Sequence, residues 1–341
     1  MEFMEREKVR EFNKTEENSV KKWKYEMKPT FEQRMRTLLG GEKDFSAFEE
    51  IIHTKPGNWI RCNTLKINCN ELVDRLRKRW DVEQPFTQYP EILLVKNELL
   101  PGELGNAIEH ILGYYYIQEI SSMMSVIALS PKEGEFVLDV CASPGSKTTQ
   151  IAACMKNTGT LIANDLKIDR IKILSANLER CSVSNCIITR NDGVGLCSRL
   201  AKAGFKFDKI LLDAPCSGEG TLRSSPKTFL MWNVKVVEKL GREQKKFIAN
   251  ALKCLKKDGE IVYSTCTHSP EENEAIVDFA VKNFPVEVQS FSLPLKCREG
   301  VKEWDGYRYD GDSSKLCRIY PQDNDSEGFF VAKMKLKEEI G

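Results

Sequence analysis

Histidine is scarce in this chain, and the familiar metal and nucleotide signatures are missing. Only His53, His110 and His268 occur in 341 residues, and none of the twelve cysteines forms a CxxC pair. Zinc fingers and ribbons are built on such pairs and on histidines, so the pattern argues against either. Neither GxGxxG nor GxxxxGK[ST] is present, although Ser146-Lys147-Thr148 imitates the end of the latter. No run of about 18 apolar residues exists that could span a membrane. The opening MEFMEREKVREF is charged where a secretory leader is apolar. Charge of one sign is lacking too: 51 Lys+Arg against 50 Asp+Glu leave +1, so any nucleic-acid contact must be a local patch.

What is present reads as a globular protein, with 41% hydrophobic and 30% charged residues. A chain of this length buries about three quarters of its unfolded surface, so no disulfide or metal staple is required. Cys154, Cys181 and Cys254 sit in apolar surroundings, as small buried hydrophobes do. The expected setting is reducing and cytoplasmic.

Residues 1–50 carry dense mixed charge and read as an exposed helical arm. WIRCNTLK (59–66) and EILLVKN (91–97) read as strands around an amphipathic helix at 70–80, giving a small α+β domain over 51–112. GYYYIQEISSMMSVIAL (113–129) leads into a helix and opens the main domain, 113–341. From Phe136 strands and helices alternate, which predicts a doubly wound parallel α/β sheet. Strands are expected at 136–140, 160–164, 186–189, 207–212, 260–264, 286–290 and 328–334. Helices are expected at 147–156, 168–181, 235–257 and 271–283, the last opened by a Ser269-Pro270-Glu271-Glu272 capping box.

Chemistry-bearing residues gather at the strand ends, where open α/β sheets bind ligands. Asp139 ends the first strand before CASPGSK (141–147), Asp165 ends the second, and Asp192 follows the third. DAPCSGEG, with Asp213 and Cys216, follows the fourth, and STCT, with Cys266, ends the fifth. The small-residue turn with two acids downstream suits a nucleoside cofactor without phosphates, such as S-adenosylmethionine. Asp165 and Asp192 could equally cap a helix and a turn. A Cys266/His268 dyad is a competing arrangement, as is a redox pair Cys216–Cys266. A cytosine ring accepts a methyl group at carbon 5 only after a thiolate attacks carbon 6. That chemistry needs a nucleophile, an acid and a group that assists release.

RCNTLK (61–66), QEISSMM (118–124), LDVCASPGSKT (138–148), NDG (191–193), LLDAPCSGEGT (211–221), YSTCTHSPEEN (263–273) and RIYPQDNDSEGFFVAKM (318–334) resemble the Sun/nucleolar-protein family of RNA (cytosine-5) methyltransferases, in its archaeal-type, tRNA-like form. The resemblance implies a class I methyltransferase Rossmann-like sheet with an N-terminal RRM-like module. It implies S-adenosylmethionine as cofactor and RNA as substrate. Cys266 would be the nucleophile and Cys216 would assist release. Asp213 would support ring nitrogen 3, and Lys147 would hold the base. Cys141, Ala142, Ser143, Pro144, Gly145, Ser146 and Lys147 would wrap the methionine part, with Asp213 bordering it. Asp165 would hold the ribose, Asp192 the adenine amino group, and Arg170 the cofactor edge. Ser143 and Ser146 depart from the usual CAAPGGK turn, and DSEGFF from the usual DGFF spacing.

The stretch 235–257 holds eight Lys/Arg against two Glu. Lys235, Lys239, Arg242 and Lys246 share a face, opposite an apolar stripe of Val236, Leu240, Phe247, Leu252 and Leu255. That face is either a solvated surface or an RNA contact, and Arg61, Lys66 and LRKR (76–79) are alternatives. SSPKT (224–228) is expected near the flipped base. Transfer RNA is the first expectation, ribosomal RNA the second, with no obligate protein partner. A small-molecule or protein methyltransferase would have no use for paired cysteines, and a non-catalytic scaffold would not need Cys266 or Asp213.

Overall fold

The computed structural model describes residues 26–340. Helices α1 (Pro29–Leu39) and α2 (Glu42–Ile52) come first, with Gly40 at φ 72° turning the chain between them. They are not an exposed arm. Phe31, Met35, Phe45, Phe48 and Ile52 are buried against Leu222, Phe229, Trp232 and Tyr320. Each helix carries one narrow apolar stripe, which the surrounding charge conceals in composition. Residues 1–25 of the expected arm lie outside the described residues.

A small antiparallel sheet follows, formed by β1 (Asn58–Cys62), β2 (Val82–Glu83), β3 (Ile92–Val95) and β4 (Tyr115–Ile117) in the order β2-β3-β1-β4, with α3 (Cys69–Leu76) beside it. The expected boundary at 112 is therefore too early, since β4 pairs with β1 through Cys62–Tyr115 and Ile60–Ile117. No glycine or proline separates that strand from the helix after it, so sequence patterning runs the two together.

The main unit opens with α4 (Ile120–Leu129). Then come β5 (Phe136–Asp139), α5 (Ser146–Cys154), β6 (Thr160–Asp165), α6 (Ile168–Arg180), β7 (Cys186–Arg190), α7 (Gly193–Lys202) and β8 (Phe207–Asp213). α8 (Val234–Lys253), β9 (Leu255–Thr265), α9 (Glu274–Asn283) and β10 (Val286–Gln289) follow. A hairpin of β11 (Glu303–Trp304) and β12 (Tyr307–Arg308) precedes β13 (Cys317–Ile319) and β14 (Phe329–Leu336). The sheet runs β10-β14-β9-β8-β5-β6-β7, with β13 paired to β14. β9, β8, β5, β6 and β7 are parallel neighbours, and β14 enters antiparallel between β9 and β10. Val137, Leu138, Ile210, Leu211, Leu212 and Val262 are fully buried, as strands covered on both faces require. Strand order reverses between β5 and β8, which puts the ligand crevice at their carboxyl ends.

Three local expectations fail for reasons of long-range packing. The buried stripe of α8 is Val237, Gly241, Gln244, Ile248, Ala251 and Leu252, which shares only Leu252 with the expected one. The helix is drawn close at Gly241, where a Cβ would lie 2.9 Å from the Glu271 carbonyl. The capping box does not form: α9 starts at Glu274, and the Ser269 and Glu272 side chains are engaged elsewhere. Among the cysteines, Cys181 and Cys254 are buried, Cys154 is exposed, and Cys297 and Cys317 form a disulfide that no sequence signal announces.

Candidate active site

The loops after β8 and β9 bring two distant cysteines together. The Sγ atoms of Cys216 and Cys266 lie 3.2 Å apart, within sulfur hydrogen-bond range. The hydrogen bond to Cys266 and burial push the Cys216 thiol well above its ordinary range. The loops are also tied at their next residues, by a 2.8 Å hydroxyl contact between Ser217 and Thr267. Buried Glu219 fastens the first loop to the second, accepting from Ser269 Oγ (2.6 Å), the His268 amide (3.1 Å) and Trp232 Nε1 (2.6 Å). A third strand end closes in through paired glycines. The Gly328 amide donates to the Gly220 carbonyl at 2.8 Å, and a Cβ on Gly220 would stand 2.1 Å from the Gly328 carbonyl oxygen. Only glycine permits that approach.

Asp213, the last residue of β8, faces both neighbouring strand ends. Its Oδ2 pairs with Lys147 Nζ at 2.7 Å, and its Oδ1 accepts from Ser264 Oγ at 2.7 Å. Burial alone would lower the Lys147 ammonium, but Asp213 outweighs it and the group stays above its ordinary value. Lys147 also lies 5.4 Å from the centroid of the Phe329 ring. A cavity of about 660 Å³ opens here, lined by Lys147, Asp213, Cys266 and Phe329. Glu119, Arg223, Ser224 and Glu327 line it as well, and residues 55–59 form its opposite wall. It therefore lies between the sheet edge and the N-terminal elements. Of the SSPKT segment, Ser224 lines the cavity.

The turn after β5 is built for close approach. Gly145 takes φ 103° and opens α5, and Ala142 donates its amide to the Asn164 carbonyl. Arg170 braces the turn from α6: one guanidinium nitrogen reaches the Ser143 carbonyl at 2.6 Å, and Nε reaches Asp165 Oδ2 at 3.1 Å. Cys141 ends up with its thiol pushed well up by burial, which makes it inert packing. Asp139 accepts from Thr148 Oγ1 at 2.8 Å, while its other oxygen is buried with no partner. Burial pushes its carboxyl up to about 7. Asp192 is exposed and caps α7, accepting from the Gly195 amide at 2.9 Å. Asp165 does not cap α6; it accepts from the Lys167 amide. Neither Asp165, Arg170 nor Asp192 lines the large cavity. The polar turn, an orphaned buried carboxylate oxygen and acids at successive strand ends fit a nucleoside bearing hydroxyl, amino and ammonium groups.

Other candidates fall away. His268 does not pair with Cys266: its ring stacks on Tyr320 with centroids 5.1 Å apart, meets Phe48 edge-on, and burial lowers it to about 3. Arg61 is no phosphate contact, being 2% exposed and bonded to Gln118, the Ser146 carbonyl and Thr149 Oγ1, where it locks β1 onto α5. Lys66 donates to the Arg180 carbonyl, Arg77 to the Val82 carbonyl, and Arg79 pairs with Glu109. Lys235, Lys239, Arg242 and Lys246 flank a buried stripe; all but Lys239, which meets Glu243 at 4.0 Å, lack a charge partner among the described residues. Sequence reading missed the roles of the buried acids Glu219, Glu272 and Glu327; Glu272 was legible only as part of a capping box, and the signal at Glu219 and Glu327 is an acid set beside glycine and serine.

Similarity to known proteins agrees with this geometry. The family model described as 16S rRNA methyltransferase RsmB/F matches residues 126–335, and that of the N-terminal domain of 16S rRNA methyltransferase RsmF matches 27–120. A tRNA (cytosine(49)-C(5))-methyltransferase of Pyrococcus abyssi is 42% identical over 81% of this chain and 87% of its own length. A ribosomal RNA small subunit methyltransferase F of Vibrio vulnificus is 37% identical over 90% of this chain, which spans only 63% of that longer protein. A crystal structure of a methyltransferase homolog protein from Pyrococcus horikoshii matches with TM-score 0.77 and 30% identity over 91% of this chain and 100% of its own. NSun6 from the same organism matches with TM-score 0.77 and 25% identity, over 90% and 97%. With the motifs, the paired cysteines and the matched model in agreement, the chain belongs to the RsmB/F (Sun-type) family of S-adenosylmethionine-dependent RNA (cytosine-5) methyltransferases.

Proposed function

We propose that the enzyme methylates its RNA through a covalent adduct between Cys266 and carbon 6 of cytosine, with Cys216 assisting release. The observation that carries this reading is the 3.2 Å approach of the two sulfurs beside the Lys147–Asp213 pair. S-adenosylmethionine, held by residues 141–147 with Asp165, Arg170 and Asp192, supplies an electrophilic methyl group. The hydrogen bond to Cys266, together with burial, holds the Cys216 thiol well above its ordinary range, so Cys216 starts as the protonated member of the pair and Cys266 is the attacking sulfur. As the Cys266–carbon 6 bond forms, the ring double bond shifts its electrons to carbon 5. A proton passed from Lys147 to Asp213, which pair at 2.7 Å, lets Asp213 donate to ring nitrogen 3 as carbon 6 is attacked, and the proton returns when the double bond re-forms. After methylation Cys216 releases its own proton to solvent and, as thiolate, takes the proton from carbon 5; the electrons of that C–H bond re-form the double bond and Cys266 departs as thiolate. The target must be unstacked to reach the cavity, which favours a loop or loosened stem.

Transfer RNA is the substrate we favour, because a tRNA (cytosine(49)-C(5))-methyltransferase is matched at 42% identity over 87% of its own length. Ribosomal RNA is the second reading, and the match of residues 27–120 to the RsmF N-terminal model is what speaks for it. Radiolabelled cofactor with purified tRNA and small-subunit ribosomal RNA in parallel tests the choice. Label in tRNA alone supports the first, and label in ribosomal RNA alone replaces it with the second.

A further inference from the structure

A buried polar clamp holds the backbone on both sides of Cys216. Gln244, on α8, and Glu272, in the turn before α9, are both fully buried. Gln244 Nε2 donates to the Pro215 carbonyl at 2.9 Å and to Glu272 Oε2 at 2.9 Å. The same Glu272 oxygen accepts the Ser217 amide at 3.0 Å. The residues directly before and after Cys216 are thus held by one acid–amide pair reaching across from two other elements. The Tyr263 hydroxyl, from β9, donates to the Glu272 carbonyl at 2.6 Å and ties the clamp to the strand that ends at Cys266. A glutamate enclosed in this way is costly unless its position is useful. Its second oxygen has no partner, so packing alone is poorly served by it.

We infer that Glu272 and Gln244 are positioning residues for Cys216, fixing its sulfur against Cys266 so that product is released. The inference rests on the two-cysteine reading above. Neither side chain touches a reacting atom; each acts through the backbone on either side of the Cys216 thiol. Loosening the clamp leaves attack by Cys266 intact and slows its departure, so the enzyme stalls as a protein–RNA adduct.

The test compares wild type, Cys216→Ala, Glu272→Ala, Glu272→Gln and Gln244→Met with labelled cofactor and substrate RNA. It scores adduct on denaturing gels, turnover, and melting temperature of the free enzymes. Glu272→Ala and Gln244→Met are expected to accumulate adduct, with release slowed about tenfold, the scale of one lost buried hydrogen bond. Glu272→Gln keeps an acceptor for the Ser217 amide and restores most of the release. Adduct in Cys216→Ala but none in Glu272→Ala or Gln244→Met, with turnover falling only as melting temperature falls, overturns the clamp alone. Absence of adduct in Cys216→Ala overturns the two-cysteine reading, and the clamp with it. Gln244→Met conserves volume and decides the matter should Glu272→Ala fail to fold.

Discussion

Cys216 and Cys266 are fifty residues apart in sequence, and their sulfurs are 3.2 Å apart in the structure. Two parallel strands, β8 and β9, do this: Asp213 and Ser264 are register partners, and each chain runs only a few residues further to its cysteine. The relationship divides labour between like groups. In the proposed mechanism one of these thiols attacks and the other assists release, and their contact, with the Cys216 thiol held well above its ordinary range, is what that assignment rests on.

Asp213 is expected to matter before methyl transfer, not after it. Asp213→Ala should lower turnover by about 10² to 10⁴-fold, the range of a positioned acid or base. In a Cys216→Ala background it should also abolish the adduct. A double variant that still accumulates adduct would place Asp213 later in the reaction.

The closure of three loops through Gly220 and Gly328 predicts a packing defect on substitution. Gly220→Ala would set a methyl group 2.1 Å from the Gly328 carbonyl oxygen. Denaturant unfolding should show a loss of about 1–3 kcal/mol, the usual cost of overpacking. Unchanged stability would mean that the β14 loop yields freely.

Buried Arg318 and Glu274 form an ion pair and neither lines the cavity, with Arg318 Nε 2.6 Å from Glu274 Oε1. Arg318 also donates to the His268 carbonyl at 2.8 Å. Glu274→Ala leaves that guanidinium without its counter-charge and should cost about 3–5 kcal/mol by chemical denaturation. Cofactor affinity of the folded fraction should be unaltered.

Burial raises the Glu272 carboxyl from 4.5 to about 7. A folded-state value above the unfolded one means the folded form binds the extra proton. Stability from this group is therefore full below pH about 4.5 and declines as pH rises toward about 7. The change amounts to about 3 kcal/mol. Glu272→Gln should remove that decline, and denaturant midpoints across this window measure it. A parallel pH dependence in wild type and variant would contradict the assignment.

The sheet was legible because its strands are continuous apolar runs bounded by turn residues, and all seven expected strands of the main sheet occur in the structure. The cluster at the carboxyl edge was legible too, since Asp213, Cys216 and Cys266 follow directly from strand ends. What stayed hidden depends on partners remote in sequence. Ser269-Pro270-Glu271-Glu272 has the local pattern of a capping box, yet Ser217 and Gln244 claim Glu272 and Glu219 claims Ser269. Arg61 reads as a surface cation, but Gln118 and Thr149 receive it in the interior. Asp192 shows the opposite case, where the modest local role of a helix cap is what the structure displays.

The most direct measurement of the central proposal is the denaturing-gel fate of Cys216→Ala beside wild type and Cys266→Ala, with labelled cofactor and RNA. The account predicts label in free RNA for wild type, a shifted protein–RNA band for Cys216→Ala, and neither for Cys266→Ala. A shifted band in Cys266→Ala, or normal turnover in it, would contradict the assignment of Cys266 as the attacking sulfur.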